Sequence, residues 1–144
     1  MNQDFDIREA LPDDIPFIYS TFLKSYKLDS QIGKNVRDGI FFNYYKIVVD
    51  DILYHSKVLV ACDKNNPLII YSYLIFENEC IHYAFTKEAF RRLGILKALY
   101  SKATTISPEF QWITHKTSYS TKLNLKMSYN PFMLYAALNQ QTEK

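Results

Sequence analysis

Glycine is scarce in this chain, which has only Gly33, Gly39 and Gly94. A Walker-type glycine loop around phosphate therefore has no place in it. Cysteine is nearly absent as well. Cys62 and Cys80 each sit in an apolar stretch without CxxC spacing, which excludes a disulfide scaffold and a thiolate metal site and predicts two buried free thiols. The three histidines, His55, His82 and His115, are scattered and show no metal-ligand spacing. The serines lack the strand–elbow–helix context of a nucleophile. No apolar run approaches the roughly 20 residues that span a bilayer. The opening "MNQDFDIREA" has neither the basic head nor the apolar run of a secretory leader. A soluble cytoplasmic protein without a membrane partner is the expectation. An excess of one charge is missing too: 17 basic residues face 15 acidic ones, a net charge of +2, with no long basic face for nucleic acid.

Aromatic residues are abundant, with 12 Tyr and 10 Phe in 144 residues. They interleave with aliphatics at core spacing rather than forming a platform on which bases stack. Tyrosine supplies apolar area with a polar tip, so many of these rings suit half-buried positions. The length fits one domain, 1–144, with a substantial core.

Periodicity predicts the elements in turn. Residues 4–10 place Phe5 and Ile7 on one face of a short strand. Residues 11–26 read as a helix whose first turn holds Pro12 and Pro16, with Asp13 and Asp14 at its positive end. The polar stretch 27–39, with two glycines, reads as a loop, and 40–56 as a second helix with Phe41, Tyr44, Tyr45, Val48 and Ile52 on one stripe. Then 57–63 and 68–77 form a hairpin around the turn residues 64–67, and 79–86 is a third strand. A helix over 95–106, a fourth strand over 111–117, a last helix over 118–128 and a strand or frayed segment over 129–138 complete the order β-α-α-β-β-β-α-β-α-β. A hairpin meander followed by a strand–helix–strand crossover implies an α/β fold with a mixed, mostly antiparallel sheet.

The stretch "FRRLGIL", 90–96, concentrates scarce residues. Two of the four arginines, Arg91 and Arg92, precede Gly94 where strand gives way to helix. A helix start offers unpaired N–H groups and a partial positive charge. A glycine lets an anion approach that backbone, and arginines add charge-assisted donors. The combination suits a phosphate or pyrophosphate; the plain alternative is a turn with solvated arginines.

"FTKEAFRRLGILKAL" resembles the acetyl-CoA-binding motif of the Gcn5-related N-acetyltransferase (GNAT) superfamily, Arg or Gln, two residues, Gly, one residue, Gly or Ala, read here from Arg91 to Leu96. The element order and the opening "DFDIREALPDDIPFI" resemble that family too, and the chain is also similar to small GNAT-like proteins of bacteriophages. The resemblance implies a GNAT fold and transfer of an acetyl group from acetyl-CoA to a primary amine. Arg91, Arg92, Leu93, Gly94, Ile95 and Leu96 would bind the pyrophosphate, and Phe85 and Thr86 the thioester and pantetheine. Leu96 stands where the motif ends in a small residue. The family's general-acid Tyr aligns with Asn124, or with Met127 in a shifted register, while Tyr119 and Tyr129 lie nearby.

Acetyl transfer also requires a base for the amine. His82 shares strand parity with Ala84 and Thr86 and titrates in a suitable range, so it is the first candidate; Glu79 is the second and His115 the third. His55, at a helix end, reads as structural. The implied partners are CoA and an amine-bearing acceptor, a small molecule or a protein. An exposed last strand gives an edge that a second copy can complete, so a homodimer is one expectation. The departures from the motif leave a second reading open, a GNAT-like binding or structural protein without activity.

Overall fold

A computed structural model describes residues 4–117 and 127–134. β1 (Phe5–Glu9) is followed by a single 3-10 turn (Pro12–Asp14) and α1 (Ile15–Asp29). α2 (Gln31–Asn35) and α3 (Asp38–His55) come next, then β2 (Lys57–Asp63), β3 (Ile70–Glu77) and β4 (Cys80–Thr86). A second 3-10 turn (Glu88–Phe90) leads to α4 (Ile95–Ile106), and β5 (Trp112–Ile113) and β6 (Ser128–Tyr129) close the order. The six strands lie side by side in sequence order. β1 to β4 are antiparallel, whereas β5 runs parallel to β4 and β6 parallel to β5.

Each face of the sheet is covered, which is why β2 and β3 are nearly continuous in apolar residues. Val58, Val60, Tyr73, Ile75 and Tyr83 pack against Ile18, Phe22 and Tyr26 of α1 and Val49 and Ile52 of α3. Leu59, Ala61, Leu74, Phe76 and Ile81 pack on the other face against Ile95, Leu99 and Ala103 of α4. Cys62 and Cys80 are buried free thiols, and burial pushes the Cys80 thiol up to about 11, assisted by Glu77 and Glu79.

Hydrogen bonds fix how the elements dock. Arg8 of β1 grips Asp14 in a two-pronged pair of 2.6 and 3.0 Å, and Asp14 also accepts from the Leu11 N–H at 2.7 Å. The acidic helix start therefore ties α1 to the sheet edge. On the sheet face of α1, Thr21 pairs with the Tyr73 hydroxyl at 2.7 Å and Ser25 with the Tyr83 hydroxyl at 2.6 Å.

Three sequence expectations need correction. The stretch 27–39 is not a loop: α1 runs on to Asp29, and a short α2 follows, capped by Ser30, whose hydroxyl accepts the Gly33 N–H at 2.9 Å. Gly33 is there for space, since a Cβ would lie 2.3 Å from the Lys27 carbonyl oxygen. The fourth strand is two residues long rather than seven: the Thr114 N–H still bonds the Ile81 carbonyl at 3.1 Å, and Thr114 and His115 then bond through their side chains. The chain after 128 pairs over Ser128–Tyr129 and then turns. Of the helix expected over 118–128, residues 118–126, including Tyr119 and Asn124, lie outside the described residues. Among the described residues, no helix is long and apolar enough to cross a membrane.

Candidate active site

The end of β4 is built to leave a gap. β5 pairs with β4 only through Cys80↔Trp112 and Ile81↔Ile113. Beyond that point β4 continues alone to Thr86. The Lys87 N–H bonds to the Tyr71 carbonyl on β3 at 2.9 Å, so by alternation Tyr83 and Phe85 also turn their backbone toward β3. Ala84 and Thr86 then present theirs to the open side. Ser72 fixes the strand end, donating to the Phe85 carbonyl at 2.7 Å and pairing with the Thr86 hydroxyl at 2.8 Å.

The turn after β4 carries the stretch "FRRLGIL". Phe90 stacks on Tyr71 at 3.9 Å, and Tyr71 donates to Asp63 at 2.5 Å, which anchors the 3-10 turn to the sheet. The Arg91 Nε then donates back to the Thr86 carbonyl at 3.0 Å. Arg92 and Gly94 adopt left-handed backbone, φ 66° and 78°, and deliver the chain into α4 without a side-chain cap. The first-turn amides of α4 have no acceptor within the helix. They open on a cleft of about 510 Å³ whose lining includes Thr86, Gly94, Leu96, the cationic Arg91, Arg92 and Lys97, and one carboxylate, Glu88. A Cβ on Gly94 would meet nothing within 4 Å, so this glycine is required for its φ and not for its size.

The predicted site residues do not all converge. Thr86, Arg91, Arg92, Gly94, Ile95 and Leu96 line the cleft. Leu93 is exposed and lines a neighbouring groove with Phe5 and Tyr71 instead. The Phe85 ring packs against Phe17 and Tyr73 toward α1. Glu79 is exposed in the two-residue turn at the opposite end of β4, about 20 Å of strand away from Thr86.

His82 departs from strict alternation. The register shifts between Ile75 and Phe76, so that Tyr83 and Ile81 both find partners and His82 is the extra residue of a β-bulge. His82 therefore turns to the α1/α3 side, away from Thr86. It is buried, with Nδ1 2.8 Å from the Thr114 hydroxyl and Nε2 3.4 Å from Glu77 Oε1. Thr114 lies 2.9 Å from His115 Nδ1, and His115 Nε2 pairs with the Tyr45 hydroxyl. Burial, with a smaller contribution from His82, lowers His115 to about 3, so its ring is neutral. Tyr45 packs on Tyr26, with ring centroids 5.3 Å apart, and burial pushes the Tyr26 hydroxyl up to about 12. Tyr26 reaches a second cleft of about 500 Å³, between the α1–α2 junction and the chain after β5, with Ser30, Lys116, Thr117 and Tyr129 on its walls.

Sequence reasoning found His82 and His115 but missed Glu77, Thr114, Tyr45 and Tyr26 as their partners. One signal was present: Glu77 closes an otherwise apolar strand and is buried, and a buried carboxylate needs partners.

No family model matches the chain and no curated protein matches it by sequence. Solved structures do match by shape. A possible acetyltransferase from Clostridium difficile aligns over 95% of this chain and 90% of its own, with a TM-score of 0.53 and 17% identity. The ribosomal-protein-alanine N-acetyltransferase of Brucella melitensis covers 88% and 90%, at 0.54 and 17%. YjaB from Escherichia coli covers 75% and 69%, at 0.55 and 13%. The mixed sheet, its parting strands and the helix that starts at Gly94 are thus the fold of the Gcn5-related N-acetyltransferases.

Proposed function

We propose that this protein is an N-acetyltransferase that moves the acetyl group of acetyl-CoA to a primary amine. The observation that carries the reading is the cleft at the start of α4, set against the gap where β4 outruns β5. The residues present fit the donor. A pyrophosphate suits the first-turn amides of α4 with Arg91, Arg92 and Lys97 at the rim. The gap beside Ala84 and Thr86 suits an extended arm, and a backbone N–H aimed into it polarises a thioester carbonyl. Arg91 acts through its bond to Thr86 and holds the turn closed. The amine enters from the α1/α3 side, where Tyr26 lines the second cleft, and His82 is the base, in preference to Glu79 at the far strand end.

One observation favours a second reading, a GNAT-fold binding protein without turnover: both ring nitrogens of His82 are engaged inside the protein. A single pair of measurements separates the two. Calorimetric titration with acetyl-CoA and CoA tests the cradle, and thiol release with a panel of primary amines tests transfer. Micromolar binding with amine-dependent thiol release supports the enzyme. Binding without thiol release supports the second reading, and no binding at millimolar ligand overturns both.

A further inference from the structure

The side chains of Tyr45, His115, Thr114, His82 and Glu77 run in a continuous hydrogen-bonded line across the α1/α3 face of the sheet. Counting protons along it leaves little freedom. With Glu77 a carboxylate and His82 taken as a neutral imidazole, His82 donates from Nε2 and accepts at Nδ1. The Thr114 hydroxyl has one proton, which then goes to His82. Thr114 must therefore accept from His115 Nδ1–H, which leaves His115 Nε2 to accept from the Tyr45 hydroxyl. Every link points the same way. The reverse arrangement is equally complete: Glu77 protonated, and each bond inverted up to a His115 Nε2–H donating to Tyr45. The two arrangements differ by one proton taken in at Tyr45 and held at Glu77.

Resting on the reading of this site as an amine acetyltransferase, we propose that this line is a proton relay, which carries the surplus proton of the amine from Tyr45 to Glu77. The balance of the reaction calls for such an exit. An ammonium brings three protons. The amide keeps one and the departing thiol takes one, so one must leave. Its carbon–sulfur bond breaks as the carbon–nitrogen bond forms, and the surplus proton passes to the Tyr45 oxygen while the Tyr45 proton moves to His115. Successive hops through Thr114 and His82 bring one proton to Glu77, beside the turn at 78–79, from which water removes it. Tyr45 is half-buried and packs on Tyr26, which lines the second cleft, so the intake end lies on the amine side. The buried state of His82 is then no obstacle to its part in the transfer, since it takes a proton at Nδ1 from Thr114 as it gives one up at Nε2 to Glu77. Thr114 and His115 act through their neighbours and are positioning residues.

The test uses the full chain. Long-range proton–nitrogen spectra of the imidazoles read the tautomers directly: His82 protonated at Nε2 and His115 at Nδ1. Thr114→Val keeps the shape of the side chain and removes the middle link. In thiol-release assays with acetyl-CoA and a lysine-ended peptide or a free peptide N-terminus, it should lower kcat by roughly a hundredfold and leave the KM for acetyl-CoA unchanged, while Thr114→Ser restores turnover. Tautomers in the wild-type protein that match neither arrangement overturn the relay, even where a variant fails to fold. An unchanged kcat in Thr114→Val overturns it while leaving the transferase standing. An absence of thiol release from the wild-type protein removes the transferase reading and the relay together, and acetyl-CoA binding in calorimetry then shows that only the chemistry was misread.

Discussion

Replacing Gly94 with alanine isolates the conformation of the cradle from everything else around it. The added methyl group meets no atom within 4 Å, so packing contributes nothing to the outcome. What changes is the φ of 78°, where an L-residue is disfavoured by about 1–2 kcal/mol. If the backbone stays, stability falls by that amount, a drop in Tm of about 4 °C for a chain of this size. If it relaxes to negative φ, the first amides of α4 swing off the cleft. Losing one charge-assisted bond of about 1.5–3 kcal/mol weakens CoA binding tenfold or more. Gly94→Asn, which tolerates left-handed backbone, should restore most of both. Thermal unfolding and calorimetric titration with CoA read the two quantities on one sample. Unchanged stability together with unchanged CoA affinity in Gly94→Ala would refute the reasoning, since the backbone must either bear the strain or move the amides.

Further outcomes follow from other parts of the structure. Arg91→Ala combined with Arg92→Ala should weaken CoA binding by a few kcal/mol in the same titration, since charge-assisted bonds are worth about 1.5–3 kcal/mol each; equal affinity would place the anion elsewhere. Asp14→Asn removes the carboxylate that Arg8 grips and should cost about 3 kcal/mol in denaturant unfolding. Burial raises the pKa of Asp14, but the hydrogen bonds from Arg8 and Leu11 and the Arg8 charge outweigh it and hold the carboxyl below its usual value. A lowered folded pKa means the contribution is complete above about pH 4 and is lost as pH falls through the folded value. Tm measured from pH 7 to pH 3 should therefore fall less steeply at the acid end in Asp14→Asn than in the wild type. Gly33→Ala drives a methyl group into the Lys27 backbone and should destabilise by about 1–3 kcal/mol in the same unfolding assay, in contrast to a near-neutral Gly39→Ala, where the added Cβ meets nothing.

The fold was legible where periodicity and burial agree. Ile18 and Phe22, Ile95 and Leu99, and the two faces of β2 follow their patterns into the core. The turn at Gly94 was legible because a glycine between a strand and a helix has few local uses. Gly33 misled for the opposite reason: a glycine in a polar stretch reads as freedom, whereas this one marks a close backbone contact that only the folded chain creates. The side assigned to His82 failed because parity holds only along an unbroken ladder, and the bulge opposite Ile75 and Phe76 resets it. Glu79 looked well placed by strand number alone, but distance along a strand separates residues that share a face. Tyr45 lies 70 positions from His115, and no local pattern announces a contact across that span.

The hydroxyl pairs Thr21–Tyr73 and Ser25–Tyr83 have a meaning beyond adhesion. Apolar ridges tell a helix to lie down but not where to stop, and sliding it by a turn trades one set of methyl groups for another. Two directional pins, one turn apart on α1 and on adjacent strands, work like a vernier: they coincide at one setting only. That setting fixes how far Tyr26 projects from the end of α1, and hence where the mouth of the second cleft stands against the parting strands. The tyrosine excess visible in the raw composition is, at these positions, an instrument of alignment.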